Sequence, residues 1–485
     1  MKNAHDSCAE TPQIYQSRRP EKTVLYKILQ ENLETWVEQT YQSGGSVPAH
    51  IEKDFRHYLE CGILSYGFAR ARCECGHEFL VAFSCKGRGI CPSCNTRHMA
   101  ETAAHLVDHV FPKVPVRQWV LSLPKRLRYY LYHAPKIASK VLKIFLDEIS
   151  KQLKQHSNSN IPSESQVKLG GVSFIHRFGA SLNVHLHFHC VIIEGLFIAD
   201  SGGDIQFQSI NDITHTDIDE VQQRVRLRVL KAFKRWKLLE DYDVENMKRW
   251  QGGGGFSVDG SVKLHKNDRK GLERLLRYCA RPVFASERLQ QLSNNLLIYK
   301  PDKQWKNSNG QSYAQEVIPM SGIDFIEKIA TLVPPPRIHR HRYFGVLAPN
   351  SPYRKQVTSH ASQILDDGYI TTVDNSQELG TENDDISIKK SSSSHYLWAI
   401  LIARIYAVFP LICPDCGGQM KIIAFIREKP IIQKILNSID EPIKPPVLSP
   451  PRAPPLWEER IMDSSAEFML PDVIPDYEFD QRLNW

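Results

Sequence analysis

Long apolar segments are missing from this sequence. No apolar run reaches about eighteen residues, the length that a membrane-spanning helix needs. The first residues, MKNAHDSCAETPQ, also lack the short apolar core of a signal peptide. These absences argue against both a membrane span and secretion, so we expect the chain in a reducing cytoplasm.

The composition has no strong bias. Of 485 residues, 42% are hydrophobic, 24% are charged and 9% are aromatic. These values are typical of globular proteins and exclude wholesale disorder, collagen and coiled-coil architectures. At a usual domain size of about 150 residues, the length corresponds to roughly three domains.

Positive charge is concentrated in two interior stretches. The whole chain carries a net charge of +7, but residues 86–154 and residues 224–281 each carry +9. Residues 355–394 and 442–485 each carry −4. This distribution indicates a body that binds a polyanion such as nucleic acid, followed by acidic, solvated segments. The alternative is that each basic stretch is only a soluble surface.

The eleven cysteines are clustered. The first group contains Cys73, Cys75, Cys85, Cys91 and Cys94, and a separate pair contains Cys413 and Cys416. In a reducing compartment, such grouping favours metal binding over disulfides. No further pair follows the second one, so three interpretations of it stay open: a half-site completed by a partner, a relic of a zinc ribbon, or inert thiols.

The first group predicts a structural zinc site. Cys91 and Cys94 have the Cys-X-X-Cys spacing that brings two thiolates to one ion without strain. Cys73 and Cys75 are the expected other half, with Cys85 in place of Cys73 as the alternative. A closed, all-thiolate site has no open coordination position, so this zinc would stabilise a small domain. Its basic neighbours are expected to contact phosphates: Lys86, Arg88 and Arg97.

Three histidines alternate along a predicted strand, NVHLHFHCVIIEG, at residues 183–195. Because successive side chains of a strand point to opposite faces, His185, His187 and His189 share one face. A row of imidazoles is awkward to bury unless a divalent cation binds it. The spacing predicts a metal site without choosing among zinc, manganese and nickel. Packing of the histidines in a core is the alternative.

A predicted helix further along, GLERLLRYCARPVF, carries a tyrosine beside arginines. The helical period groups four residues into a buried stripe: Leu272, Leu275, Leu276 and Cys279. Tyr278 lies about 110° from that stripe on a helical wheel. The adjoining face carries Arg274, Arg277 and Arg281. A phenol at the edge of a cationic surface can meet a phosphate that arginines hold.

Six blocks together resemble one known family. The most specific block is His187-Phe188-His189, which precedes VIIEG. The others, in chain order, are LVAFSCKGRGICPSC, PVRQWVLSLPKRLRYYL, RYCARPVFASERL, HRYFGVLAPNSPYR and CPDCGGQMKIIAFI. In this order they resemble the rolling-circle transposases of insertion-sequence family 91, which are members of the His-hydrophobic-His endonuclease superfamily.

The resemblance implies a tyrosine transposase of the bacterial cytoplasm, associated with the nucleoid. His187 and His189 would hold Mg²⁺ or Mn²⁺ against a phosphate of single-stranded DNA at the element ends, with His185 as a third ligand or a neighbour. Tyr278 would be the nucleophile and would form a 5′-phosphotyrosine link, from which the strand passes to target DNA. Some family members carry a second tyrosine where Arg274 stands, so a single-tyrosine mechanism is implied.

We expect an α+β fold, with an antiparallel sheet that carries the histidine strand, helices packed on one face, and the Tyr278 helix beside it. Four consecutive regions are expected: a helical, zinc-binding and DNA-binding module at 1–110, a catalytic domain at 111–350, a disordered linker at 351–395, and a helix, cysteine pair and proline-rich tail at 396–485.

Two other functions fit parts of the sequence. The chain could be a zinc-containing DNA-binding protein without catalysis, derived from such an element. It could also be a hydrolase that uses the three histidines on a small molecule, but this function explains neither the basic stretches nor the cysteine group.

Overall fold

In the computed structural model, the described residues are 18–157, 166–199, 203–293, 296–301, 317–359, 361 and 413–452. They divide into two compact units. One contains the described residues up to 101, those between 285 and 297, and 413–451, and the other contains 102–284 and 298–361. The second cysteine pair thus belongs to the same unit as the first cysteine group, which the expected division into four consecutive regions did not anticipate.

The fold contains both helices and antiparallel strands, so the α+β prediction is confirmed. The described helices are α1 Val24–Gln42, α2 Ala49–Glu60, α3 Pro92–His109, α4 Lys125–His133, α5 Pro135–Gln155, α6 His215–Arg235, α7 Asp241–Arg249, α8 Arg269–Cys279, α9 Gly322–Leu332, α10 Arg354–Ser359 and α11 Lys429–Ser438. Short 3-10 turns lie at Pro20–Lys22, Leu64–Tyr66, Gly252–Gly255 and Ser286–Arg288.

The strands are short outside the central sheet. They are β1 Phe68–Arg72, β2 Glu78–Ala82, β3 Val116–Ser122, β4 Gln166–Lys168, β5 Gly170–Phe178, β6 Val184–Ile193, β7 Gly195–Ala199, β8 Ile205–Ser209, β9 Ser257–Asp259, β10 Lys263–Leu264, β11 Leu289–Ser293, β12 Leu296–Tyr299, β13 Ile318–Met320, β14 His341–Gly345 and β15 Lys421–Ile426.

The unit that holds the cysteines starts with a helical hairpin. Thr23 caps α1 by accepting the backbone N–H of Tyr26, and the chain turns at Gly44, whose φ is +78°. The apolar face of α1 packs on α2 through Trp36 and Phe55, whose rings lie 5.7 Å apart. Strands β15, β1 and β2 then form an antiparallel sheet in that order. Strand β15, which comes late in the chain, therefore adds an edge strand to the β1–β2 hairpin.

The other unit is built on one antiparallel sheet in the order β10-β3-β6-β5-β14, with β9 also paired to β3. The strand predicted at 183–195 corresponds to β6, which forms an antiparallel hairpin with β5. On one face, residues of β3 and β6 pack on α4, α5 and α6 around the fully buried Trp119. On the other face, Val172 and Phe174 pack on α8 and the second half of α3. The expectation of helices on only one face was wrong, because β6 is apolar on both sides away from its histidines.

Two expectations fall wholly or partly on residues that are not described. Helix α10 occupies the start of the predicted linker, which is therefore ordered at 354–359. The rest of that linker lies outside the described residues, as do the helix expected at the start of the region 396–485 and the tail beyond 452. Among the helices that are described, none combines the length and the apolarity that crossing a bilayer requires.

Candidate functional site

Three histidines from two paired strands meet on one face of the central sheet. The β5–β6 register places His176 opposite His187, and Phe174 opposite His189. Each of His176, His187 and His189 offers a ring nitrogen, and these three atoms all lie within 4.8 Å of one another. All three side chains are buried. This arrangement could hold a metal ion.

The hydrogen bonds of these rings leave nitrogen atoms available for a cation. His176 donates from Nε2 to the carbonyl oxygen of Cys279 at 2.6 Å, and His187 donates from Nδ1 to the carbonyl oxygen of His185 at 3.1 Å. The side-chain amide of Gln118 lies 2.9 Å from Nδ1 of His189, and an amide can donate to or accept from a ring nitrogen. Within the described part of the chain, Nδ1 of His176 and Nε2 of His189 are buried without a hydrogen-bond partner. Outer hydrogen bonds that fix the ring tautomer are typical of metal-binding histidines.

The electrostatic surroundings keep these imidazoles neutral. Burial lowers the pKa of His187 to about 4, and it lowers the pKa values of His176 and His189 well below their ordinary range. Nearby cations lower them further: Arg281 acts on all three rings, Arg128 acts on His187 and Arg340 acts on His176. A neutral imidazole is the form that binds metal. The same cations favour an anionic substrate.

His185 does not join the cluster, so of its two expected roles, third ligand or neighbour, the arrangement favours the neighbour. Its Nε2 atom lies 2.9 Å from the hydroxyl oxygen of Ser122 on β3. Alternate residues of a strand lie about 6.6 Å apart, so a third residue in the row is about 13 Å from the first. Neighbouring strands are only about 4.8 Å apart. The ring of His185 does lie 4.9 Å from that of His187, but the strand carries it away from His189, whereas the ring of His176 lies 5.0 Å from that of His187 and 4.5 Å from that of His189.

Tyr278 lies beside this cluster. Its ring centroid is 5.6 Å from that of His189, and the two rings meet edge to face at 83°. The predicted stripe of Leu272, Leu275, Leu276 and Cys279 is buried, which fixes the rotation of α8 and leaves Tyr278 half-buried. The bond from His176 to the carbonyl of Cys279 ties the end of α8 to β5.

The three arginines near Tyr278 have different surroundings. The guanidinium of Arg281 lies over the Tyr278 ring, 4.4 Å from its centroid. Arg277 forms an ion pair with Glu273 at 2.7 Å, and Arg274 is exposed. Arg281 is therefore the cation best placed to share a phosphate with the phenol.

The cysteines form two groups of four, and neither is the set expected from the sequence. Cys61, Cys85, Cys91 and Cys94 meet with their sulfur atoms within 4.8 Å of one another, and Cys73, Cys75, Cys413 and Cys416 do the same. The expected set of Cys73 and Cys75 with Cys91 and Cys94 is not assembled. The alternative set replaces Cys73 by Cys85. It is correct for Cys85, Cys91 and Cys94 but wrong for Cys75, whose place is taken by Cys61. Cys73 and Cys75 lie at the β1–β2 turn, which is near Cys413 and Cys416 because β15 pairs with β1.

The first group fits zinc. Four sulfur atoms bound tetrahedrally at about 2.3 Å from an ion lie about 3.8 Å apart. Here the sulfur of Cys61 lies 3.8 Å from that of Cys94 and 3.6 Å from that of Cys91, and Cys85 lies 3.6 Å from Cys94. The backbone N–H of Cys85 donates to the sulfur of Cys61. This donor set suits a closed structural zinc site.

The basic residues next to this group differ in availability. Lys86 and Arg88 are exposed, whereas Arg97 pairs with Glu101 at 2.8 Å. The charge of Arg97 is therefore partly neutralised within α3.

Sequence reasoning missed several residues of these sites. Cys61 precedes the cysteine group by twelve positions, and only the pairing of the strands reveals its role. His176 could have been found by aligning the β5–β6 hairpin, since an antiparallel register centred on its turn brings His176 opposite His187. No sequence signal distinguishes Arg128 from the other basic residues of its stretch.

Two family models match separate parts of the chain. Residues 28–123 match the model of a transposase zinc-binding domain, and residues 170–355 match that of a putative transposase. The second match contains the three clustered histidines and Tyr278. The first contains every cysteine of the two groups except Cys413 and Cys416.

Two curated relatives have similar sequences. The chain is 23% identical over 312 residues to a putative transposase, y4qJ, of Sinorhizobium fredii, which covers 62% of this chain and 74% of the relative. It is 22% identical over 309 residues to the transposase for insertion sequence element IS801 of Pseudomonas savastanoi pv. phaseolicola, which covers 60% of this chain and 68% of the relative. Solved structures give no significant match. These matches confirm the resemblance seen in the sequence: the chain is similar to insertion-sequence transposases in both its zinc-binding region and its transposase region.

Proposed function

We propose that this chain is a transposase that nicks single-stranded DNA at the ends of its element and transfers the strand by a rolling-circle mechanism. The phenolate oxygen of Tyr278 attacks the scissile phosphorus, and the bond from phosphorus to the 3′ oxygen breaks. The leaving 3′ oxygen takes up a proton, and the 5′ side stays joined to Tyr278 as a phosphodiester. Because one ester replaces another, the later transfer of the strand to target DNA needs no external energy.

The observation that carries this proposal is the convergence of Tyr278 with the three-histidine cluster. The ring of Tyr278 lies 5.6 Å from the ring of His189, and the guanidinium of Arg281 lies over the Tyr278 ring. A phosphate beside the phenol would thus be close to both the cluster and a guanidinium. Tyrosine, buried neutral imidazoles and cations together suit phosphoryl transfer better than chemistry on a neutral molecule.

His176, His187 and His189 would hold the divalent cation that the family implies. Their donor atoms fit it, because Nδ1 of His176 and Nε2 of His189 are buried without other partners in the described chain. When bound, the cation polarises the phosphate and offsets the charge that builds up during attack. Imidazole nitrogens suit Mn²⁺ better than Mg²⁺, which prefers oxygen ligands. We therefore expect Mn²⁺ to support the reaction at lower concentration than Mg²⁺.

The surrounding arginines would position the DNA strand. Arg281 lies at the phenol, and Arg128 and Arg340 act electrostatically on the histidine cluster from α4 and from the segment before β14. A guanidinium can bind two phosphate oxygens in one plane, which orients the phosphorus for in-line attack. Exposed Arg274 would extend this cationic surface along the strand. In the zinc-binding unit, Lys86 and Arg88 would add phosphate contacts, and Arg97 would contribute less because of Glu101.

The test is cleavage of oligonucleotides from the ends of the element, with the label on either end. The proposal predicts that a 3′-labelled fragment remains attached to the protein in denaturing gels and that a 5′-labelled fragment is released. Cleavage should require Mn²⁺ or Mg²⁺, should stop with EDTA, and should fail on the same sequence as a duplex. Attachment of the 5′-labelled fragment instead would contradict the proposed polarity.

The same assay distinguishes the proposed transposase from a zinc-containing DNA-binding protein without catalysis. It would bind these oligonucleotides with a steep salt dependence, yet cleave none of them under any metal condition. That result would remove the catalytic role of Tyr278.

A further inference from the structure

Cys73, Cys75, Cys413 and Cys416 bring two distant parts of the chain to one point. Cys73 and Cys75 lie in the turn between β1 and β2, and Cys413 and Cys416 lie just before β15. Because β15 pairs with β1, with Lys421 opposite Arg72, both turns lie at the same end of one sheet. We propose that these four cysteines bind a second structural zinc ion, which attaches the segment 413–451 to the amino-terminal hairpin.

The sulfur distances fit a tetrahedral zinc site. The sulfur of Cys73 lies 3.4 Å from that of Cys416, and the sulfur of Cys75 lies 3.5 Å from that of Cys413. Both distances are close to the separation of about 3.8 Å between sulfur atoms that share a zinc ion, and far from the disulfide bond length of about 2.05 Å. Cys73 and Cys413 are buried, whereas Cys75 and Cys416 are exposed. An ion held by the four would be half covered by the protein.

The two turns have the same backbone design. Cys73 donates its N–H to the carbonyl of His77, and Cys413 donates its N–H to that of Gly418. A glycine with positive φ follows the second cysteine of each turn: Gly76 at +98° and Gly417 at +71°. Glycine adopts this conformation at little cost, and it lets the chain fold back around the sulfur.

Backbone N–H groups point at the sulfur atoms in both turns. Gly418 donates to the sulfur of Cys416 at 3.4 Å, and His77 donates to that of Cys75. Asp415 and Cys416 donate to the sulfur of Cys413. Such bonds favour the ionised sulfur that zinc requires. The first cysteine group has the same feature, since Gly87 donates to the sulfur of Cys85 after a residue, Lys86, whose φ is +53°.

A competing donor set shares one of these cysteines. His77, Cys413 and Asp415 also lie within reach of a common ion. However, Nδ1 of His77 lies 2.8 Å from a carboxylate oxygen of Asp415, so these two side chains already satisfy each other. We therefore assign the metal to the four thiolates and give His77 and Asp415 the role of a hydrogen-bonded pair across the two turns.

The apolar contact between the two turns is small. The buried apolar residues at this point are Ala71, Cys73, Cys413 and Met420, with Phe79 packed at the edge. So small a cluster supplies little free energy of folding, whereas zinc bound to thiolates supplies a large amount. Further from the turns, Ile432 and Leu436 of α11 pack on Phe68. Zinc at the turns would thus fix the register of β15 and hold α11 in place.

The zinc content of the full chain tests this assignment. Purified protein should contain two zinc ions per chain by elemental mass spectrometry, and the double variant Cys413→Ser/Cys416→Ser should contain one. Cys190→Ala is the matched control, because Cys190 is buried in the central sheet outside both groups, and it should keep two. The double variant His77→Ala/Asp415→Ala should also keep two, and loss of an ion there would favour the competing set.

Hydrogen exchange locates the effect. In the double cysteine variant, β15 and α11 should lose protection, whereas α1 should keep it. Unchanged protection of β15 would mean that zinc does not hold this segment.

A measurement on the unaltered protein decides the matter if the double variant does not fold. Cys75 and Cys416 are exposed, yet zinc would shield all four thiols from alkylation until a chelator removes it. If all four thiols become reactive toward alkylation together when a chelator removes the zinc, the site is supported. Immediate alkylation of Cys75 and Cys416 in protein that contains a single zinc ion, or a disulfide between the two turns, overturns it.

Discussion

The ring of Tyr278 lies 5.6 Å from the ring of His189, edge to face, although one residue belongs to α8 and the other to β6. His176 couples them. It offers Nδ1 to the histidine cluster while its Nε2 donates to the carbonyl of Cys279, the residue that follows the tyrosine. A change in the position of β5 therefore shifts the end of α8 and the phenol with it. His176 thus positions both the proposed nucleophile and the proposed metal site.

Replacing Tyr278 by phenylalanine should abolish covalent attachment to DNA. The ring and its packing against His189 remain, so DNA binding and folding should change little, but the attacking oxygen is gone. Denaturing gels with 3′-labelled oligonucleotides measure the attachment. Tyr129→Phe is a suitable control, because Tyr129 is 64% exposed on α4 and should keep full activity. Persistent attachment in Tyr278→Phe would assign the nucleophile to another residue.

The ligand set predicts different outcomes for two histidines of the same hairpin. His176→Ala removes a donor atom from the cluster, so the affinity for Mn²⁺ should fall at least about tenfold. His185→Asn leaves the cluster intact and keeps a polar partner for Ser122, so its affinity should stay close to that of the unaltered chain. Titration of Mn²⁺ binding by electron paramagnetic resonance compares the two. A larger loss in His185→Asn than in His176→Ala would restore the histidine row that the sequence suggested.

The sequence predicted parts of this site that depend on local periodicity. Alternation along β6 placed His187 and His189 on one face, and the helical period placed Tyr278 away from the buried stripe of α8, beside the arginine face. Both inferences use only neighbours along the chain. His176 and Cys61 depend on which strands and turns pair, and that is decided by the register of a hairpin and by the packing of distant segments.

The same limit applies to charge. Helix α6 is rich in arginine and lies in a basic stretch, which suggested a surface for a polyanion. In the structure, Arg226 is buried and donates to three backbone carbonyls, of Met247, Lys248 and Trp250. Arg224 and Arg228 pair with Glu148 of α5 at 2.9 and 2.6 Å. Because the acidic partner lies far away in sequence, counting charges along the chain cannot distinguish structural arginines from those available to DNA.

This distinction predicts the salt dependence of DNA binding. Arg281→Gln should weaken binding to single-stranded DNA and reduce the slope of log K against log salt by about 0.7, the value for one lost phosphate contact. Arg224→Gln removes the same charge from α6 but should leave the slope nearly unchanged, because that guanidinium already pairs with Glu148. Fluorescence anisotropy at several salt concentrations measures both slopes. Equal reductions in the two variants would mean that the site has no local cationic contact at Tyr278.

The ion pair of Arg117 and Glu194 predicts the stability of the central sheet. Arg117 of β3 contacts Glu194, the residue after β6, at 2.7 Å, and their side chains are only 7% and 3% exposed. Arg117 also donates to the carbonyl of Gly260 at 2.6 Å. Glu194→Ala leaves a buried guanidinium without its counter-charge, so the free energy of unfolding should fall by about 3–5 kcal/mol.

Replacing both partners tests this reasoning about the buried charge. Arg117→Met/Glu194→Leu removes both charges and fills the space with apolar groups, so it should lose much less stability than Glu194→Ala alone. Hydrogen exchange of β6 peptides across a urea series reports on the sheet without interference from the zinc-binding unit. If the double variant were as unstable as the single one, the cost would come from lost packing or from the bond to Gly260. The buried charge would then not be its cause.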